Sequence, residues 1–198
     1  PIVLSLLILS IAALAAGVAM AQDVKPAAAN WDPETGLGNH RAVIRVAALP
    51  GKPSAVRAVI PWRRRDAEPD KVDLIVVDAA TGATVANVLP LEVGRERGDI
   101  VFEPKTVPGD YVVYYMPYRS EGRKNYPSVK YDPPALTADS AWVARIGVPK
   151  GELAPGASVL AGLPKAEFVE LQSADEFSAF TPMELIATAR EPEALLAA

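Results

Sequence analysis

Proline recurs through this chain too often for long helices to form. Of its 198 residues 19 are Pro, and 18 of those lie beyond residue 21, about twice the ordinary share of ~5%. Each one removes a backbone donor and clashes with the preceding turn of a helix. What fits between them is a set of short strands. The runs Ala42–Ala48, Val56–Trp62, Val72–Asp78, Thr84–Val93, Asp99–Glu103 and Tyr111–Tyr118 are rich in Val, Ile and Tyr, which suit a pleated, half-buried surface. Asp78-Ala-Ala-Thr-Gly82 supplies a Gly for the positive φ of a short bulged hairpin, and Pro108-Gly109-Asp110 is a second turn that launches Tyr111. Closely spaced strands with such turns predict a mostly β fold, an antiparallel β-sandwich.

The last third reads differently. Asp132–Asp139 is a Pro-rich connector, after which Thr137 or Asp139 caps a short helix running to Arg145. A further strand is expected over Ala166–Gln172. Ser173-Ala-Asp-Glu176 has the spacing of a capping box. A strand at Met183–Ala189 and a helix opening at Glu191–Ala198 then lead out of the domain, and the chain is expected to continue beyond Ala198. The expected organisation is therefore a signal peptide at 1–21, a linker at 22–38, the sandwich at 39–172, and at 173–198 a connector with the start of a following domain.

The signal-peptide reading rests on residues 1–21, which carry no charge and end in the small-x-small pattern Ala19-Met20-Ala21. Cleavage is expected after Ala21 and the protein is expected to be exported, to the periplasm or outside the cell. The first residue is Pro, so a basic stretch is expected to precede it. An uncleaved membrane anchor is the competing reading, because the apolar run is longer than a usual signal core. Only in that case is a membrane a partner.

Composition excludes much chemistry. The absence of Cys removes disulfides, thiol nucleophiles and thiolate zinc sites, and the single His40 removes His-cluster metal sites. A net charge of −4 offers no general attraction to phosphate backbones, so nucleic acid is not an expected partner. No Gly-rich cofactor loop, phosphate loop or calcium loop occurs, and Asp32-Pro-Glu34 has too few oxygen ligands at useful spacing. No cofactor and no metal are expected. His40, just ahead of the first strand, reads as a strand-end hydrogen-bonding residue rather than a general base.

Two segments remain as candidate contacts for a carbohydrate or a neighbouring domain. In Trp62-Arg-Arg-Arg-Asp66, strand alternation turns Arg63 and Arg65 one way and Arg64 the other. Trp62 offers a face for sugar stacking or a cation. Surface or interdomain ion pairing with Asp66, Glu68, Asp70 and Asp73 is the plainer reading. All six Tyr fall between 111 and 131. Alternation puts Tyr111, Val113 and Tyr115 on one face and Tyr114, Met116 and Tyr118 on the other. One face is expected to be core. The other, continued by Arg119, Arg123, Lys124 and Tyr126, is a docking surface or a stacking platform for sugar rings. The contact residues expected are thus Trp62, Arg63, Arg65, Tyr118, Arg119, Arg123 and Tyr126, with no catalytic residue among them.

Several segments resemble the N-terminal domain of glycoside hydrolase family 123 proteins. They are Gly38-Asn-His-Arg-Ala-Val43, Pro61-Trp-Arg-Arg-Arg-Asp66, Val77-Asp-Ala-Ala-Thr-Gly82, Gly98-Asp-Ile-Val-Phe-Glu-Pro104, Pro108-Gly-Asp-Tyr-Val-Val-Tyr-Tyr115 and Phe180-Thr-Pro-Met-Glu-Leu-Ile-Ala-Thr188. The resemblance spans roughly residues 36–196. It implies a β-sandwich that precedes a (β/α)-barrel, the barrel performing substrate-assisted hydrolysis of N-acetylgalactosaminides with an adjacent Asp–Glu pair. By that resemblance the present chain is the sandwich, its partners are its own catalytic barrel and, through that barrel, carbohydrate. The adjacent acids Asp175-Glu176 sit in the expected capping box and read as a helix cap rather than as that pair. A free-standing carbohydrate-binding module and a structural envelope-associated domain are the alternatives.

Overall fold

The computed structural model describes residues 24–26, 31–32, 35–51, 53–64, 66–123, 126–147 and 158–174. Among them are strands β1 (Val24–Pro26), β2 (His40–Val46), β3 (Val56–Ile60), β4 (Ile75–Asp78), β5 (Val88–Val93), β6 (Gly98–Phe102), β7 (Gly109–Tyr114), β8 (Tyr118–Arg123), β9 (Tyr126–Tyr131) and β10 (Glu167–Ser173). Two short helices follow β9: α1 (Ser140–Arg145) and α2 (Ser158–Ala161). The strands form a five-stranded sheet ordered β1-β10-β2-β7-β4, a three-stranded sheet ordered β3-β6-β5, and the separate hairpin β8-β9. All pairings are antiparallel except that of β1 with β10.

The two large sheets face each other across one core. Alternate residues of β2 (Ala42, Ile44, Val46), β3 (Val56, Ala58, Ile60) and β7 (Tyr111, Val113) point into it, with Ile100 and Phe102 from β6. This is the period of two that a half-buried strand imposes, and it makes the molecule the antiparallel β-sandwich that the sequence predicts. Strand β6 departs from alternation, being buried at all five positions. Its outer residue Val101 lies with Ala55 and Leu89 under Trp142, Ile146 and Leu160 from the helical segment. A strand covered on both faces reads as a continuous apolar run. Of the two expected caps, Thr137 and Asp139, it is Asp139 that caps α1, its Oδ1 accepting from Trp142 N–H at 2.9 Å, and Trp142 Nε1 donates to the Ser54 carbonyl at 2.8 Å.

Several expectations are corrected. The long run Thr84–Val93 yields a strand only from Val88, because Thr84 makes a single bridge to Val77 that closes the Asp78–Gly82 turn. In that turn Gly82 N–H donates to the Asp78 carbonyl at 2.8 Å with Gly82 at φ +71°. The run Tyr111–Tyr118 is not one strand: β7 stops at Tyr114 and Pro117 separates it from β8. Val24–Pro26, within the segment expected as a linker, pairs in parallel with Leu171–Ser173. Ser173, where the capping box is expected to begin, is the last residue of β10, opposite His40. The segments expected as a signal peptide, as a strand at Met183–Ala189 and as a helix at Glu191–Ala198, and the Asp175-Glu176 pair, lie outside the described residues.

Candidate functional site: the exit end of the sandwich

Register decides which groups meet at one end. β2 pairs antiparallel with both β7 and β10, with Arg41 opposite Tyr114 and His40 opposite Ser173. The last residues of β7 and β10 therefore flank the start of β2, at one end of the sheet. β3 ends at the same place, since Trp62 beyond it stacks on Tyr115 beyond β7, ring centroids 5.0 Å apart. Ala174 N–H donates to the Asn39 carbonyl at 2.9 Å, and the described residues end here. We term this the exit end.

The groups at its base are buried. Trp62 is 1% exposed and its Nε1 donates to the Gly94 carbonyl at 2.9 Å, so it presents no free face to a sugar. Arg64 is 2% exposed and forms a two-bond pair with Asp66, Nε to Oδ1 and Nη2 to Oδ2, both at 2.9 Å. The arginine run thus contributes its middle member to the interior, next to the carboxylate two residues on. β3 stops at Ile60, so strand alternation does not extend to these residues. Arg63 is half-buried, and Arg65 lies outside the described residues. His40 is also buried at the start of β2, its Nδ1 2.8 Å from Asn39 Oδ1, in keeping with a strand-end hydrogen-bonding residue.

From this end projects the β8–β9 hairpin, whose strands pair only with each other. Tyr118 and Tyr131 meet edge to face at its root, 6.4 Å between centroids, and Tyr131 packs against the main core. Arg119 keeps 72% of its side chain exposed while its Nε lies 3.1 Å from Asp132 Oδ1. Arg123 and Tyr126 face each other across the hairpin register, as backbone partners. Of the expected contact residues the fold therefore brings Tyr118, Arg119, Arg123 and Tyr126 onto one hairpin and removes Trp62 to the core.

Beside the root, Val72, Leu74, Val88, Pro90, Val93 and Leu136 line a shallow groove that Asp70 and Asp73 border. Asp73 Oδ1 accepts from Ala135 N–H at 2.9 Å. Burial, with the Asp132 charge adding to it, raises the Asp73 carboxyl above the ordinary range against its two backbone hydrogen bonds. No group of three or more His, Asp or Glu suited to a metal occurs among the described residues.

The model of the family described as glycoside hydrolase 123, N-terminal domain, matches residues 29–174, from just before Trp31 to Ala174 just beyond β10. The chain belongs to this family. No curated protein and no solved structure matches it.

One cluster of this glycoside hydrolase 123 N-terminal domain is missed by the sequence reading. On the outer face of the larger sheet the Arg41 guanidinium lies 4.2 Å over the Trp31 ring, and Trp31 meets Tyr114 edge-on at 5.6 Å. Arg41 Nε donates to Gln172 Oε1 at 2.7 Å and Nη1 to the Tyr114 hydroxyl at 3.2 Å. Gln172, Arg41 and Tyr114 are direct neighbours across β10, β2 and β7, which is the contact that steadies adjacent strands. Trp31 Nε1 donates to the Gly38 carbonyl at 2.7 Å, tying the indole to the backbone just before β2. The only local signal was an isolated Trp in a polar stretch.

Proposed function

We propose that this chain is the accessory β-sandwich of an exported glycoside hydrolase of the N-acetylgalactosaminidase type, and that its exit end supports the catalytic barrel. One observation carries the reading: β7 and β10 end on either side of the start of β2, so the root of the hairpin and Ala174 share one end of the family domain. A domain continuing from Ala174 would meet Tyr118, Arg119 and the exposed Val129 without any rearrangement of the sandwich. Arginine and amphipathic tyrosine suit such a surface, being dry at one end and polar at the other. The role of the sandwich in this reading is support and bordering of the cleft, with the chemistry in the barrel. Residues 1–21 would direct export to the periplasm or the exterior and be removed after Ala21.

The test is hydrolysis of an aryl N-acetylgalactosaminide by purified residues 22–198 beside the complete product of the gene. The reading expects turnover by the complete product and none by residues 22–198, and turnover by the shorter protein overturns it. N-terminal sequencing of secreted protein is expected to begin at Gln22.

The exposed hairpin also favours a second reading, a free-standing carbohydrate-binding module. Glycan affinity that is lost in Tyr118→Ala and Arg119→Ala would support it, and affinity unchanged in both would remove that surface from consideration.

A further inference from the structure

The sandwich has an open seam. β4 ends the order of the five-stranded sheet and β5 that of the three-stranded sheet, and the apolar groove lies between Leu74, just before β4, and Val88, Pro90 and Val93 of β5. Register sets its mouth at the exit end. Ile75 is opposite Tyr114, and Val93 is opposite Gly98, which also faces Ile60 two residues before Trp62. The connector after β9 forms one wall. Asp73 N–H donates to the Asp132 carbonyl at 2.9 Å and Asp73 Oδ1 accepts from Ala135 N–H at 2.9 Å, which leaves Leu136 at the rim and exposed. Asp132 also pairs with Arg119, so groove and hairpin adjoin.

β5 is a poor template for a further strand, because Pro90 has no N–H and the register shifts between Pro90 and Glu92. Side chains, not a strand, are what the seam can take. Charge then selects among occupants. Lys71 is paired with Glu68 and Arg119 with Asp132, so among the described residues Asp70 and Asp73 border the groove without an ion-pair partner. A second copy of the chain would set these acids against themselves. Residues 175–198 carry five acidic residues against Arg190 alone, and would also meet like charge. A basic side chain suits the site: its aliphatic stem lies on Pro90 and Val93 while its cation stays at the rim. Burial holds the Asp73 carboxyl above its ordinary range, and a cation beside it would offset that.

We propose, on the reading of this chain as an accessory sandwich, that the groove is the docking site for a segment of the catalytic barrel carrying an apolar side chain beside a Lys or Arg. The apolar side chain enters the seam against Leu74, Val93 and Leu136, and the basic one faces Asp70 and Asp73. Groove and hairpin then form one continuous interdomain surface, joined by residues 132–135.

Hydroxyl-radical footprinting of the complete gene product reads the exposure of Leu136 without substituting it. Here Leu136 is 83% exposed and Val159 on α2 is 40% exposed. Docking is expected to reverse that order, with Leu136 oxidised about tenfold more slowly than Val159. Asp70→Lys is expected to restore oxidation of Leu136 by about two- to fivefold, the effect of losing one exposed ion pair. Leu136 oxidised as fast as Val159 overturns the docking site, and protection indifferent to Asp70→Lys overturns its basic occupant. Protection already present in the 198-residue chain also overturns it, in favour of residues 175–198 if it survives dilution and of a second copy if it does not. Turnover of an aryl N-acetylgalactosaminide is scored on the same sample. Turnover with Leu136 open removes the docking site alone, and protection without turnover removes the enzymatic reading alone.

Discussion

Gly98 and Trp62 occupy one space: a Cβ built on Gly98 would lie 2.0 Å from Cη2 of the Trp62 ring. The first residue of β6 must therefore be glycine for the indole to seat on Tyr115, and the requirement is steric rather than conformational. Gly38 shows the same close approach with a second cause, since a Cβ there would lie 2.1 Å from the Met116 carbonyl oxygen and its φ is +72°. Gly98→Ala is expected to destabilise the domain by about 1–3 kcal/mol, the usual cost of overpacking a full core. Urea denaturation measures it, and combining the change with Trp62→Leu should recover part of the loss by opening space.

Tyr111 fastens the start of β7 to the loop before it. Its hydroxyl accepts from Thr106 N–H at 2.8 Å and donates to the Thr106 carbonyl at 2.7 Å, while its ring fills the core beside Phe102. Tyr111→Phe leaves the ring in place and strands both backbone groups. The expected loss is about 1–3 kcal/mol. A loss below about 0.5 kcal/mol, the range of an ordinary surface change, would show that solvent replaces the hydroxyl.

Glu103 should contribute to acid sensitivity. Its Oε2 accepts from Asn87 Nδ2 at 2.8 Å and Lys105 Nζ at 3.0 Å, and these bonds, with Arg145 adding charge, hold the carboxyl below its usual range. A depressed folded pKa adds stability that is present above the unfolded value of about 4.3 and is lost as pH falls through the lower folded value. The parent is thus expected to lose more stability between about pH 5 and pH 3 than Glu103→Gln does. Asp73 acts in the opposite sense: its raised carboxyl favours the folded state at low pH, and that contribution disappears as pH rises through the folded value. Melting curves across the acid range for Glu103→Gln and Asp73→Asn should therefore bend in opposite directions relative to the parent.

Trp31 and Arg41 should be coupled. A double-mutant cycle with Trp31→Ala and Arg41→Ala is expected to give about 0.5–1.5 kcal/mol of interaction, the range for a partly covered cation on an aromatic face. Arg41→Lys should recover little of it, because an ammonium cannot stack flat on the indole while bonding Gln172 and Tyr114 together. Additive single changes would mean that Trp31 rests on the sheet without holding it.

The strands were legible because proline spacing leaves no room for long helices and because Val, Ile and Tyr alternate wherever only one sheet face is buried. Tyr111 and Val113 share the core face as that period requires, whereas Tyr114, Tyr115 and Met116 are all buried, so alternation ends with β7 and the face expected as a docking surface is closed at Tyr114 and Met116. The Trp62–Asp66 segment was legible in composition but not in placement. Its indole and central arginine look like surface groups by type, and it is the pairing of β3 with β6, with Gly98 opposite Ile60, that turns both inward. Likewise no local pattern joins Trp31 to Arg41, Tyr114 and Gln172, since Gln172 stands 131 positions from Arg41 in the chain.

What the sequence by itself determined is the class of fold and its turns, because steric rules for proline, glycine and alternating apolar residues act between near neighbours. The tertiary structure decided which ends of which strands come together, and so placed the β8–β9 hairpin, the end of β10 and the buried Arg64–Asp66 pair at one end. That choice depends on register between strands distant in sequence, where a one-residue slip would exchange every buried side chain for an exposed one.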